Sequence, residues 1–330
     1  MSESQPVLAV VIPAYRAESK IEKVVSNIPE TVGIIVVVDD CSPDQTVNIV
    51  EAINKKDLRV HLIRHNKNTG VGTATLDGYY EAVKLGAEVI IKMDSDDQMD
   101  PLYIPQLIQP ILDCEADYTK GNRFLHAVEL KSMPRVRKLG NVGLSFLAKL
   151  ASGHWHIFDP TNGFTAIHRD LVPLLDTRYI HARYFFETSM LMELRLVRAV
   201  VKDVFIPAKY ADEESFLSIV DSLLRFPVLL LRGFLHRWRV EYFLRDFTPV
   251  SLFFIAGLPA VIFGLVFGLV HWVISVKTQT PATTGTVMVA TLPFIIGMQL
   301  LLQSLVMDIQ GTPDKPIHHQ MGKIDNRSSE

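Results

Sequence analysis

The chain has 330 residues, enough for a sizeable core in one large domain or two smaller ones. With 33 Lys and Arg against 36 Asp and Glu its net charge is −3, too mild for a nucleic-acid partner, and its two cysteines build neither a disulfide framework nor a zinc site by themselves. Cys41 and Cys114 read as small buried hydrophobes in a reducing compartment, and no basic segment followed by an apolar run opens the chain as a secretory signal would.

Val7 to Ile12 is an apolar run stopped by Pro13, and a helical pattern follows with Ile21, Val24, Val25 and Ile28 on one face. Gly33 to Val38 is a second buried strand ending in Asp39 and Asp40, followed by a helix from about Pro43 to Asn54. A third strand, Val60 to Ile63, leads into the loop from Asn66 to Gly72 and a helix to about Leu85. The fourth, Val89 to Ile91, reads as buried on both faces and ends abruptly in Asp94, Ser95, Asp96 and Asp97. Strands near residues 7, 33, 60 and 89 with helices between them make successive βαβ units and a parallel sheet. Right-handed crossovers put all the carboxyl ends on one edge, where α/β proteins bind ligands, so Asp39, Asp40, Asp94 and Asp96 are expected in one crevice.

Asp94 and Asp96 repel each other unless something positive lies between them, and a hard divalent cation such as Mg²⁺ or Mn²⁺, bridging to phosphate oxygens, is the candidate. The alternative is a solvated acidic turn. A calcium loop fits less well, because Met99 stands where its glycine belongs and Pro105 where its glutamate belongs. Gly70 and Gly72 permit either a close approach to a nucleotide or a plain helix entry; with Thr75 in the third position they make no dinucleotide fingerprint.

Ala116 to Phe124 reads as a fifth strand with Arg123 near its end. The basic stretch after it, with Lys131, Arg135, Arg137 and Lys138, reads as a lid-like loop, and a basic lid over an acidic crevice suits an anionic substrate. HWHIFDPTNGF supplies Asp159, Asn162 and Gly163, while His154 and His156 lack a third ligand at usable spacing and read as packing residues. Tyr184 to Glu193 reads as a buried helix whose Glu187 is either a site residue or half of a structural ion pair.

Residues 250 to 274 and 286 to 307 contain no Asp, Glu, Lys or Arg. As helices they are about 37 and about 33 Å long, enough to cross a hydrocarbon core of about 30 Å. The segment before them mixes Leu, Phe and Trp with Arg225, Arg232, Arg237, Arg239 and Arg245, which suits amphipathic helices in the membrane interface with arginines near anionic headgroups. The positive-inside rule puts both flanks in the cytosol. The expected order is a cytosolic domain over residues 1–214, juxtamembrane helices over 215–247, a two-helix transmembrane domain over 248–309 and a cytosolic tail over 310–330.

VIPAYRAE, VVVDDCSPD, NTGVGTA, KMDSDDQMDP, KGNRF, DPTNGF and YFFE follow one another over about residues 7 to 219. In that order they resemble family 2 glycosyltransferases of GT-A fold. The likeness within the family is to polyisoprenyl-phosphate glycosyltransferases related to dolichyl-phosphate mannose synthase, in the bacterial form with two C-terminal transmembrane helices. The resemblance implies a Rossmann-like, mostly parallel sheet in a multi-pass protein of the inner cell membrane. It also implies sugar transfer to a membrane polyisoprenyl phosphate such as undecaprenyl phosphate. UDP-glucose is the expected donor, with GDP-mannose and other UDP-sugars as alternatives, and a homo-oligomer is compatible with all of these.

By that resemblance Pro13, Ala14, Tyr15, Glu18, Asp39 and Asp40 hold the nucleoside end of the donor, with Gly70 and Ser95 beside it. Asp94, Asp96 and Gln98 hold the metal and diphosphate, and Arg123 with Arg135 or Arg137 binds the acceptor phosphate. Lys209, Tyr210 and Ser215 stand where the family has an Arg, a Gly and a Ser, and are expected donor or lid contacts. Asp159 is expected to orient the donor sugar or the acceptor, and Asn162, Gly163 and Glu187 to shape the sugar side or support it. Two rivals remain: a processive polysaccharide synthase, for which Arg237 and Trp238 are present but Phe234 replaces the glutamine of QxxRW, and a membrane-anchored scaffold that binds nucleotide sugar or lipid without turnover.

Overall fold

The computed structural model describes residues 6–122, 135–207 and 219–319, and the side chains of these except 135–142 and 219–225. Strands β1 (Leu8–Ala14), β2 (Ile34–Asp39), β3 (Val60–Arg64) and β4 (Val89–Lys92) pair in parallel, joined by helices α1 (Ile21–Ser26), α2 (Thr46–Asn54) and α3 (Val71–Lys84). After β4 come α4 (Ile104–Leu112), β5 (Tyr118–Asn122), α5 (Arg135–Ser152), β6 (Thr165–His168), α6 (Phe186–Leu196) and β7 (Val201–Phe205). The seven strands lie in the order β3-β2-β1-β4-β6-β5-β7, and β6 alone runs against the rest.

The four apolar runs are continuous because the sheet is covered on both faces. Val10 and Ile12 of β1 pack with residues of α1, α2 and α4, while Ala9 and Val11 pack with α3 and α6. Strand order reverses at β1, whose neighbours are β2 on one side and β4 on the other, so the carboxyl ends of β1 and β4 flank a crevice at the switch point.

The structure departs from the sequence reading at several places. β6 and β7 were not anticipated, and β6 inserts between β4 and the expected fifth strand. α2 begins at Thr46 rather than near Pro43, because Asp44 Oδ1 accepts the Thr46 N–H and hydroxyl and holds the preceding turn. The stretch expected to be a lid loop is helical from Arg135 onward. Cys41 and Cys114 are exposed thiols at left-handed turn positions, φ 61° and 54°, not buried hydrophobes; each follows the end of an element instead of lying within one.

The chain divides into two units, Met1–Phe234 with Pro313–Glu330, and Leu235–Thr312. In the first, the segment after residue 312 is held to the sheet's rim: Asp117 Oδ1 accepts the N–H groups of Ile317 and His318 and lies 2.8 Å from His318 Nδ1. The His318 ring stacks on His168 at 4.4 Å. Helix α7 (Ile219–Arg239) runs across the division.

The second unit carries α8 (Pro249–Thr278) and α9 (Thr284–Gln310), both long and apolar enough to cross a membrane. They pack through glycine: a Cβ on Gly257 would lie 2.9 Å from the Gly297 carbonyl oxygen, so the backbones meet only because neither residue has a side chain. Arg237, expected near headgroups, is instead buried against Asp308 of α9 and Glu241, with Tyr242 also donating to Asp308. A buried guanidinium requires a buried acceptor, and the sequence hid this one inside an apolar helix. Arg232, Arg239 and Arg245 are exposed.

Candidate functional site

A cleft of about 760 Å³ opens at the switch point. The turn after β1 contributes Pro13, Ala14, Tyr15 and Arg16; the end of β4 and the acidic loop contribute Lys92, Asp94, Ser95 and Asp96. Asp40, Gly70, Thr161, Arg183, Tyr184, Glu187 and Phe226 complete much of its wall. Acids distant in sequence, Asp40, Asp94 and Asp96, therefore share one cleft as the topology required.

Asp40 is committed to shaping that wall. Burial alone raises its pKa, but the Thr69 and Gly70 N–H groups and His65 outweigh it and hold the carboxyl below the usual range. It thereby fixes the entry to α3. Gly70 has φ 100°, a Cβ there would collide with the Ala182 carbonyl oxygen, and Gly72 N–H donates to that same oxygen at 2.8 Å. The two glycines thus admit the 181–182 backbone beside the cleft, a close approach by the protein's own chain.

Asp39 ends β2 buried, outside the cleft lining. One of its oxygens accepts the Ser42 N–H at 3.1 Å, and the other is buried with no hydrogen-bond partner among the described residues. Glu18 Oε2 accepts the Gln45 N–H and so braces the neighbouring turn.

At the acidic loop, Lys92 organises the geometry. Its ammonium is 2.7 Å from Asp94 Oδ1 and 3.2 Å from Glu187 Oε1. Burial disfavours its charge, but Asp94 and then Glu187 outweigh this and raise its pKa. Glu187 is therefore half of an ion pair and also a cleft residue, joining the two readings the sequence left open. Gly163 makes room for the pair: a Cβ there would lie 2.7 Å from both Asp94 Oδ2 and Lys92 Nζ. Asp96 Oδ1 accepts the Gln98 N–H, and Gln98 itself lies outside the cleft lining.

Behind this loop lies a second buried set. Lys120 of β5 donates to the Asn162 carbonyl, and burial brings its pKa down to about 8. Burial pushes Asp203 up to about 6, against the Phe158 N–H, Lys120 and Asn122 that favour its charge. Asp159 is 2% exposed, accepts the Thr161 hydroxyl and lies outside the cleft lining, near enough to Lys120 and Asp203 to bias their titration. Asn162 Oδ1 accepts the Phe164 N–H and stabilises the turn carrying Gly163.

The sequence reading missed Lys92, Lys120, Arg16 and Arg183. A lysine in the last place of an otherwise apolar strand was the available signal for Lys92, since a cation there needs a buried partner. Arg123, Lys209, Tyr210 and Ser215 lie outside the described residues, as do the side chains of Arg135 and Arg137.

A family model described as glycosyl transferase family 2 matches residues 9–174. The chain is similar to a UDP-N-acetylglucosamine–dolichyl-phosphate N-acetylglucosaminyltransferase of Methanococcus voltae, 33% identical over 191 residues, covering 54% of this chain and 76% of that protein. It is similar to a dolichol-phosphate mannosyltransferase of Pyrococcus furiosus, 32% identical over 170 residues, covering 50% of this chain and 47% of that one. In fold it is similar to glucosyl-3-phosphoglycerate synthase from Mycobacterium tuberculosis, with TM-score 0.52 and 20% identity over 71% of this chain and 80% of that structure.

Proposed function

The chain belongs to glycosyl transferase family 2 and has a GT-A fold, and from that premise we propose that it transfers a sugar from a nucleotide-sugar donor to a membrane polyisoprenyl phosphate. The observation that carries the reading is the convergence of Asp40, Asp94 and Asp96 with Arg16, Lys92 and Arg183 on one cleft at the switch point. The acceptor class is supported by the dolichyl-phosphate acceptors of the similar Methanococcus and Pyrococcus proteins and by two helices long enough to cross a bilayer. In this reading the domain lies on the cytosolic face, where nucleotide sugars are made.

The buried Asp39 oxygen with no hydrogen-bond partner among the described residues suits an N–H donor on the nucleoside base, with Ala14 opposite it in the sheet and Pro13 and Tyr15 next to Ala14. Asp94 and Asp96 offer only carboxylate oxygens, and among the described residues no group of three or more His, Cys, Asp or Glu side chains could hold a metal alone. They would fit a hard divalent cation, Mg²⁺ or Mn²⁺, that takes its other oxygen ligands from outside the protein, such as a diphosphate. When bound, such an ion offsets the charge that develops on the departing diphosphate. The protein's own groups do the rest. Lys92 and Gly163 aim Asp94, and Arg183 adds positive charge to the wall. Arg123 with Arg135 or Arg137 is assigned to the acceptor phosphate, because a planar guanidinium binds phosphate bidentately. A lipid phosphate with a second pKa near ~6 is largely ionised at neutral pH and needs positioning more than deprotonation, so Asp159 is assigned to orientation. In-line attack inverts the anomeric centre.

UDP-glucose is the donor expected from the sequence, and UDP-N-acetylglucosamine is the second reading, favoured by the 33% identical relative that uses it. The experiment incubates purified chain with Mg²⁺ or Mn²⁺, a panel of labelled UDP- and GDP-sugars and undecaprenyl or dolichyl phosphate. One donor is expected to label the lipid phase with a single, inverted sugar, and Asp94→Ala/Asp96→Ala to abolish transfer. Full transfer by that double variant, or retained configuration, would sink the reading.

A further inference from the structure

Aiming Asp94 would need only a hydrogen-bond donor, yet the group at the centre of the donor site carries a full positive charge. A cleft that takes an anionic diphosphate through a divalent ion has no evident need for a lysine against one of the ion's two carboxylates. Lys92 is nonetheless built in. Its side chain is 1% exposed while that of Asp94 is 33% exposed, Glu187 holds it from α6, and Gly163 leaves the space it occupies with Asp94.

The ammonium lies nearer Asp94 Oδ1, at 2.7 Å, than Glu187 Oε1, at 3.2 Å, so Glu187 offsets only part of its charge; the rest weakens the pull of Asp94 on a second cation and is little screened where the lysine is buried. What remains on the protein's side is chiefly Asp96, since among the described residues no larger donor cluster exists. A nucleoside diphosphate supplies both the missing negative charge and the missing oxygen ligands. We propose that Lys92 is a built-in counter-ion that keeps the Asp94–Asp96 pair too weak to take up a divalent cation alone, so that metal enters and leaves only as the chelate of a nucleoside diphosphate. Lys92 is thus a positioning residue acting through Asp94. The inference rests on the donor-site reading above, and it gives the site a way to clear itself: the spent nucleotide carries the metal out.

The test titrates Mn²⁺ into the purified full-length chain in detergent and reads free Mn²⁺ by electron paramagnetic resonance, with no nucleotide, with UDP and with GDP. Wild type is expected to take up Mn²⁺ only with a nucleotide. Lys92→Gln is expected to bind Mn²⁺ without nucleotide about tenfold or more tightly than wild type, from removal of one nearby charge. Lys92→Gln/Glu187→Gln also removes the buried Glu187 carboxylate that the single variant strands; because Asp94 keeps its full charge, it is expected to show a smaller gain in nucleotide-free Mn²⁺ binding over wild type, readable if the single variant folds poorly. Lys92→Arg keeps the charge and is expected to show no gain in Mn²⁺ uptake without nucleotide. Equal uptake by wild type with and without nucleotide overturns the proposal, as does a gain by Lys92→Arg equal to that of Lys92→Gln. Nucleotide-dependent uptake in wild type with no gain in either glutamine variant overturns the counter-ion alone. No uptake with UDP or GDP in any chain overturns the donor site as well.

Discussion

Gly163→Ala probes the ion pair at the centre of the cleft without altering any charge. The new methyl group would sit 2.7 Å from Asp94 Oδ2 and from Lys92 Nζ, and 3.2 Å from Met99 Cε. Ordinary contact begins near 3.4 Å, so the pair must give way by about 0.7 Å. Lys92 has little room to retreat, being fully buried between Asp94 and Glu187. Overpacking of this kind costs about 1–3 kcal/mol, and for a folded body of this size each kcal/mol lowers the melting temperature by roughly 2–4 °C. Catalysis is more sensitive, because a misplacement of about 1 Å can cost on the order of a hundredfold. The expectation is a modest fall in melting temperature with a drop in kcat of roughly ten- to a hundredfold. Single-turnover sugar transfer to lipid, at a temperature where the variant is fully folded, separates the two. A variant that melts lower but turns over normally would refute the link between this ion pair and catalysis; one unchanged in both would refute the packing itself.

Gly70→Ala must adopt φ 100° against the Ala182 carbonyl, and is expected to lose about 1–3 kcal/mol in thermal unfolding; a neutral effect would mean the 181–182 segment yields easily. Asp308→Ala removes the buried carboxylate shared by Arg237 and Tyr242, leaves Arg237 to Glu241 and is expected to cost about 1–3 kcal/mol, while Arg237→Met/Asp308→Leu recovers part of it; a double variant as unstable as the single would contradict the pairing. Burial pushes Glu193 up to about 7 from 4.5, so its contribution to stability is full below about pH 4.5 and is lost as pH rises through 7. Glu193→Gln should therefore raise the melting temperature at pH 8 more than at pH 5, and an equal shift at both would contradict the burial argument.

The first four strands were legible because burial on both faces leaves an uninterrupted apolar run, and the acids after β2 and β4 mark the edge where such strands emerge. From β5 onward the signal fades. β6 is four residues, TAIH, and β7 reads VKDVF with two charges, so neither carries a strand period against its surroundings. Antiparallel insertion of β6 between β4 and β5 is a tertiary fact that no local pattern encodes. The site divides in the same way. Asp94 and Asp96 were visible as a repelling pair, whereas Lys92 and Glu187 lie 95 residues apart and acquire meaning only once α6 packs on the sheet. Asp40 was visible as an acid at a strand end and lines the cleft, but its N–H partners on Thr69 and Gly70, which give it a part in building the wall, were not.

Asp117 grips the chain again at Ile317 and His318, after an excursion that left the same folded body at Phe234. Any bilayer traversed on the outward leg must be traversed again on the return, which imposes a parity rule: crossings come in even numbers. A reporter fused after residue 319 then shares a compartment with one fused at the amino terminus, and splicing in a third apolar helix would force Asp117 to release its grip.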